Sequence, residues 1–368
     1  MTGIYLGSTT ARAGKSLIAF SLGVLLQKAG RSVGYMKPVG LTPRKRDYGI
    51  GDADAFVVQE ILGQSVHPAP LSPVMLPDNL HSLAMLDRND RATALQSITK
   101  AYEQISAGKD ITLVSGTGPF PSTGSCRNAG GLAILRELGL KILLVERLNY
   151  PVNYDHLLLL KDLLKDELLG VVLNDVQEDE MRETAELLVP GLKAQGIDVL
   201  GVVGHERQLA TIRILDLAHG LKGRIVTSSP RGSSLVQGFL IGTMQVDNFM
   251  MHLRGKPGSA VIVGGDRADL QLAALHADSP CIILTGNIPP SELIRKRAEA
   301  IGATLISVRE DTYTVARSMA RILRSKKMLD LGQIRLAVSL VEKSLNMEKL
   351  MQILATAKKS QSLYWPDF

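Results

Sequence analysis

Apolar positions fall into short runs separated by small-residue turns, and the alternation of run types predicts the fold. The first run, Ile4-Tyr5-Leu6, reads as a strand and leads into Gly7-Ser8-Thr9-Thr10-Ala11-Arg12-Ala13-Gly14-Lys15-Ser16. Leu17, Ile18, Phe20, Leu22, Val24 and Leu25 then recur as a helical run that ends near Ala29-Gly30. Residues 33–36 read as a second strand, stopped by Lys37-Pro38. Gly51-Asp52-Ala53-Asp54-Ala55 opens another helix. Either one of these two acids stands near a phosphate-bound Mg²⁺, or Asp52 caps the helix. Two acids two residues apart on a helix point in different directions, so they need not share a ligand.

Residues 64–90, with Pro68, Pro70, Pro73 and Pro77, read as a long connection or a lid. A helix over 92–107 precedes a strand at 111–114 that ends in Ser115-Gly116-Thr117-Gly118. Further strands are predicted at 141–145, 170–175 and 199–203, with helices between them, one of them amphipathic over 157–164. Near Gly204-His205 the pattern restarts: a weak strand at 224–227, a loop at 229–234, and a strand at 260–263 before Gly264-Gly265-Asp266-Arg267. Next come a strand at 281–284 before Thr285-Gly286-Asn287, a helix over 290–300, a strand at 304–308 and a helix over 311–323. Two helices fill 331–355. The reading is an α/β chain in three parts. A parallel sheet covered by helices spans 1–205, a second smaller α/β domain 206–325, and a helical tail 326–368.

Composition narrows the function. The 368 residues are 45% hydrophobic but only 4% aromatic, which suits Leu-, Val- and Ile-rich α/β packing. The net charge of +6 is dispersed, with short clusters at Arg44-Lys45-Arg46 and Arg324-Ser325-Lys326-Lys327. There is no basic stripe with interleaved aromatics, which argues against a nucleic-acid partner. Cys126 and Cys281 lie far apart with no metal-ligand spacing, as in a reducing compartment. No apolar run is long enough to cross a bilayer and no leader pattern precedes the first strand, so a cytoplasmic protein without a membrane partner is expected.

The chemistry is carried by the first turn. Strand, small-residue loop, Gly14-Lys15-Ser16 and helix follow in the order of a phosphate loop. Thr9 stands where the standard G-x-x-x-x-G-K-[ST] pattern has its first Gly, with Gly7 two residues earlier. Backbone N–H groups over Thr9, Thr10, Ala11, Arg12, Ala13 and Gly14 would cradle phosphate oxygens. Lys15 would reach the β/γ-phosphates, and the Ser16 hydroxyl would sit on Mg²⁺. Lys37, at a strand's C-terminal end, is placed as a second cation over the phosphates; otherwise it is a solvated strand-end lysine.

The phosphate loop, Gly34-Tyr35-Met36-Lys37-Pro38-Val39 and Asp52-Ala53-Asp54-Ala55 together resemble the dethiobiotin synthetase family. They are closer still to the related N-terminal domain of long-form phosphate acetyltransferases, where Ser115-Gly116-Thr117-Gly118 and Gly170-Val171-Val172-Leu173-Asn174 also have counterparts. Gly265-Asp266-Arg267-Ala268-Asp269, Ile283-Leu284-Thr285-Gly286-Asn287 and Asp311-Thr312 resemble the DRTGG domain that follows in those proteins. The acetyltransferase domain that comes after it has no counterpart before Phe368. The resemblance implies ATP and Mg²⁺ as cofactors. Lys15 and Lys37 would act on the transferred charge, Ser16 and Asp54 would hold the metal, and Asn174 would lie near the adenine.

Two departures matter. Ser115 replaces an acid that helps hold the metal in dethiobiotin synthetase, and Arg12 replaces an acidic residue in a loop one residue longer. The expected function is therefore an ATP-binding regulatory protein, with a nucleotide, a homodimer through the DRTGG-like unit and a separate enzyme as expected partners. The alternative is an ATP-dependent ligase that activates a carboxylate or carbamate, or a slow ATPase. Thr10 stands where a deviant-loop partitioning ATPase needs a lysine, and Asn174-Asp175-Val176-Gln177 lacks the final Asp that pairs with guanine.

Overall fold

A computed structural model of the chain describes residues 2–46, 49–65, 67–77, 88–147, 151–227, 235–324 and 331–361. The chain divides into two compact units, Met1–His205 together with Lys327–Phe368, and Glu206–Lys326. The α/β class expected from the alternating runs is what the backbone adopts.

The first unit is built on six parallel strands: β1 (Thr2–Gly7), β2 (Val33–Met36), β5 (Ile111–Ser115), β6 (Lys141–Glu146), β7 (Leu168–Val176) and β8 (Val199–Gly204). Between β2 and β5 the chain makes an antiparallel hairpin, β3 (Pro43–Arg46) with β4 (Gly49–Asp52). The order across the sheet is β8-β7-β6-β1-β5-β2. The continuous apolar runs are explained by burial on both faces: Ile4, Leu6, Leu113, Val114, Leu143 and Leu144 have no or almost no exposed surface. The chain moves to one side of β1 with β2 and β5 and to the other with β6, β7 and β8. The turn after β1 therefore opens at the crevice where the strand order reverses, where ligands of such sheets bind.

Helix α1 (Lys15–Lys28) follows β1 and buries Ile18, Ala19, Phe20, Leu22, Leu25 and Leu26. Helix α2 (Ala53–Ile61) follows the hairpin. The C-terminal helices Leu331–Ser344 and Met347–Gln361 return to this unit and cover its edge strand β8. The Asn346 N–H donates to the Leu200 carbonyl at 2.7 Å, Leu345 bridges Gly201, and Lys349 pairs with Asp198 at 2.6 Å. An edge covered in this way is closed to strand addition.

The second unit has a five-stranded sheet. Its parallel strands lie in the order Thr304–Ser307, Cys281–Thr285, Ser259–Gly264, Gly238–Ile241, with the short Arg224–Ile225 strand antiparallel at one edge. Leu270, Ala274, Leu284 and Leu305 lie in the core on one face, and Leu217, Ile262, Ile283 and Met319 in the core on the other. The loop expected at 229–234 lies outside the described residues, as does much of the connection over 64–90; the described part of that connection includes a short helix, Pro68–Leu71. No helix among the described residues is long and apolar enough to cross a membrane.

Candidate functional site

The phosphate loop begins inside the sheet, with Ser8 and Thr9 buried and Ala13 fully enclosed. Ala11 and Arg12 are exposed at its tip, Arg12 with a left-handed φ of 63°. Gly14 is the N-cap of α1 at φ 103°, and a Cβ there would collide with the Asn174 amide, so both the conformation and the space require glycine. No side chain caps α1. The first-turn N–H groups of a helix have no partners within the helix, and here they face the loop with the positive end of the helix dipole.

Two electrostatic clusters flank this loop. In the first, Lys15 Nζ donates to Ser8 Oγ at 2.5 Å and to the Gly118 carbonyl at 3.1 Å. Glu146, at the end of β6, accepts from the Thr9 N–H at 2.5 Å and from Thr9 Oγ1 at 2.6 Å, and has no exposed surface. Burial pushes its carboxyl up to about 7, against the opposing pull of the Thr9 bonds and the Lys15 charge. Burial likewise lowers Lys15 to about 8, opposed by Glu146 and helped by Lys37. The lysine and the carboxyl therefore titrate as neighbours.

The second cluster surrounds Lys37. Its Nζ lies 2.8 Å from Asp52 Oδ1 and 3.1 Å from Asp54 Oδ2. The expectation that two acids two residues apart would point differently is corrected here. Asp52 is extended (φ −78°, ψ 134°) and caps α2, accepting from the Asp54 and Ala55 N–H groups, so only Asp54 obeys helical geometry. Asp52 Oδ2 also accepts from the Leu41 and Thr42 N–H groups, at 2.9 and 3.0 Å. Burial alone would raise the Asp52 carboxyl, but Lys37 and these N–H groups hold it below the ordinary carboxylate range.

Asn174, at the end of β7, donates from Nδ2 to the Ala13 carbonyl at 2.8 Å and so ties that strand to the loop. Beside it, Asp175 (φ 65°) pairs with Arg147 at 3.1 Å and with His205 at 2.7 Å. Ser16 is half-buried in the first turn of α1, and Asp54 is the more exposed of the two acids around Lys37. No group of three or more His, Cys, Asp or Glu that could hold a metal occurs among the described residues. The donor set fits an ion carried in on phosphate oxygens and completed by one hydroxyl and one carboxylate, the usual way Mg²⁺ is held beside a nucleotide.

Thr9 to Gly14 form the loop, with Ala11 and Arg12 at its exposed tip; Lys15 and Ser16 open α1, Asp54 opens α2, Lys37 follows β2 and Asn174 lies near the end of β7. Asn174 is tied to the loop at Ala13, and the charges of Lys37 and Asp54 act on Lys15. Glu146 was missed by sequence reasoning. Its signal is a lone acid closing the apolar run Ile142-Leu143-Leu144-Val145 on a strand next to β1. At the matching strand ends of the second unit, Arg267 is held by Asp269 at 2.9 and 3.0 Å, and Thr285 Oγ1 lies 2.8 Å from Thr312 Oγ1.

Comparison with known proteins identifies both units. The AAA domain model matches residues 2–213 and the DRTGG domain model residues 216–322. A phosphate acetyltransferase of Nitratidesulfovibrio vulgaris is 22% identical over 97% of this chain and 52% of its own length. One of Pseudomonas aeruginosa is 25% identical over 94% of this chain and 51% of its own. The chain thus spans about half the length of these relatives. An ATP-dependent dethiobiotin synthetase of Methanococcus vannielii is 25% identical over 55% of this chain and 94% of its own length. Among solved structures, the MinD cell division protein of Aquifex aeolicus is 18% identical with a TM-score of 0.35, over 57% of this chain and 84% of MinD.

Proposed function

Because the chain belongs to the AAA domain family, with a dethiobiotin synthetase-like phosphate loop followed by a DRTGG domain, we propose that it is an ATP·Mg²⁺-binding regulatory protein rather than a rapid catalyst. Residues from Thr9 to Ser16 bind the phosphates, Ser16 and Asp54 take the metal, and Asn174 stands beside the base. The DRTGG domain supplies a sensing or dimerising surface through which the state of the first unit reaches a partner enzyme.

The observation that carries this reading is the state of Lys37. A lysine that is to neutralise charge developing on a transferred phosphoryl group must have charge to spare. Here its single charge is shared between Asp52 and Asp54, and Ser115 adds no carboxylate from the neighbouring strand end. Binding is retained through Lys15 and the loop, while transition-state stabilisation is weak. The alternative, a ligase that activates a carboxylate or carbamate, shares the same metal position at Asp54, whose Oδ1 has no partner among the described residues, and differs in requiring rapid turnover.

The test is titration calorimetry with Mg·ATP alongside steady-state turnover. Lys15→Ala removes a charge-assisted contact and is expected to weaken binding about tenfold or more. Turnover of the unaltered chain is expected far below the ordinary enzyme median of about 10 s⁻¹. Equal affinity in the two proteins would remove the loop as the site. Turnover near that median, lost in Lys15→Ala, would put the ligase reading first.

A further inference from the structure

The phosphate loop has a carboxylate built into it. Glu146 closes β6, beside β1, and has no exposed surface. Both of its oxygens are taken by one residue: Oε1 accepts the Thr9 N–H at 2.5 Å and Oε2 the Thr9 hydroxyl at 2.6 Å. Thr9 stands where the standard phosphate-loop pattern has its first glycine, and a glycine would supply only the first of these bonds. The turn around Thr9 is also closed on itself. Lys15 Nζ donates to Ser8 Oγ at 2.5 Å, and Ser8 Oγ donates to the Thr10 carbonyl at 2.5 Å.

Lys15, from α1, is the charged group that acts on Glu146. Arg147, next along the chain, is paired with Asp175, while Lys37 and Asp54 act on Lys15. Lys15 is therefore the cation that Glu146 and a bound polyphosphate would share. A polyphosphate brings several negative charges to this loop and this lysine. Keeping both anions ionised beside one cation in a buried site is costly, and a carboxyl can escape the cost by taking a proton. Burial has already pushed the Glu146 carboxyl up to about 7, so the proton is within reach near neutral pH. The contact with Thr9 survives the change. One oxygen of the protonated carboxyl still accepts the Thr9 N–H, and its O–H donates to Thr9 Oγ1, since a hydroxyl accepts as well as donates. The Thr9 hydroxyl proton is then released to the loop.

We propose that Glu146 positions the phosphate loop through Thr9 and takes up a proton from solvent when the loop binds a nucleotide, so that binding weakens as pH rises. The proposal rests on the nucleotide-binding reading of the loop.

The test is difference infrared spectroscopy of the full chain, with and without saturating Mg²⁺ and a non-hydrolysable ATP analogue. A protonated carboxyl has its own carbonyl stretch, to which a titrating lysine adds nothing. At pH 7.5 the unaltered chain is expected to gain this band on binding, by roughly three-quarters of one carboxyl per chain. Glu146→Gln is expected to bind the analogue without the gain, and with an affinity that depends less on pH between about 6 and 8. Thr9→Val keeps the carboxyl but removes one donor that favours its charge. In that variant the band is expected to persist to higher pH without nucleotide, and the gain at pH 7.5 to shrink. Binding with no gain in the unaltered chain, or an equal gain in Glu146→Gln, overturns the proposal and leaves the nucleotide reading standing. So does loss of binding in a folded Glu146→Gln, or a gain in Thr9→Val equal to that of the unaltered chain. An analogue that fails to bind the unaltered chain at any pH from about 6 to 8 overturns the nucleotide reading, and this proposal with it.

Discussion

Both units present the ends of parallel strands, with a polar turn after each, yet they treat charge in opposite ways. In the first unit Lys15, Lys37, Asp52 and Glu146 are all buried. In the second, Arg267 and Asp269 carry their charges in the open, and the buried polar group at the strand end is the neutral Thr285. Burying a charge costs several kcal/mol unless partners offset it. A crevice that keeps four ionisable groups under cover spends stability on chemistry, whereas an exposed fork such as Arg267–Asp269 demands nothing of the fold. The contrast is the one expected if the nucleotide chemistry proposed above sits in the first unit and the second serves as a sensing or contact surface.

The largest effect that could break this contrast lies at Asp52. Its carboxylate pairs with Lys37 and accepts four backbone N–H groups, so Asp52→Ala strands several buried donors at once. Loss of one partner from a buried ion pair costs about 3–5 kcal/mol, and Asp54 softens this by remaining beside Lys37. Denaturant titration is expected to give a loss of about 3 kcal/mol. A loss under about 1 kcal/mol would mean that the cluster is not structurally demanding and that the charge contrast between the units is superficial.

Much of this arrangement was legible in the sequence. The run Ile4-Tyr5-Leu6, the Gly14-Lys15-Ser16 turn and the following helix have local signals: apolar period, glycine and position. What escaped was non-local. Glu146 is 137 residues from Thr9, and nothing in the neighbourhood of either announces their contact. The β3–β4 hairpin escaped because Arg44-Lys45-Arg46 has no apolar alternation; its strand character comes from pairing and from the anchoring of Thr42 by Asp52. Asp52 itself was legible as a cap but not as the partner of Lys37, since its extended backbone is settled by the hairpin rather than by the helix it begins.

The next effect is the pH dependence of Glu146. An acid whose carboxyl is raised on folding, here from 4.5 to about 7, binds its proton more tightly in the folded chain. Stability from this group is complete below pH 4.5 and is lost as pH rises through 7. Glu146→Gln removes that loss while keeping an oxygen to accept from Thr9. Unfolding free energies measured from pH 4.5 to 7.5 are expected to show the unaltered chain falling relative to Glu146→Gln by about 2–3 kcal/mol. Parallel curves for the two proteins would mean that the Glu146 carboxyl titrates as if solvated, and the cluster beside Lys15 would not hold a buried acid.

The smallest effect belongs to the second unit and sharpens the comparison from the other side. Arg267 forms a two-bonded fork with Asp269, two residues ahead on the same turn, and both are exposed to solvent. Water replaces such a contact readily and salt screens it, so the pair contributes little to folding however good its geometry. Its guanidinium is also already occupied, which weakens any reading of Arg267 as an anion receptor. Arg267→Ala is therefore expected to leave the denaturation midpoint unresolved from that of the unaltered chain, at low and at high salt alike. It is also expected to leave the affinity for Mg·ATP unchanged, because the loop proposed to bind it is in the first unit. A midpoint shift comparable with that of Asp52→Ala would show that the strand ends of the second unit are as demanding as those of the first. A change in nucleotide affinity would place part of the binding chemistry in the DRTGG domain.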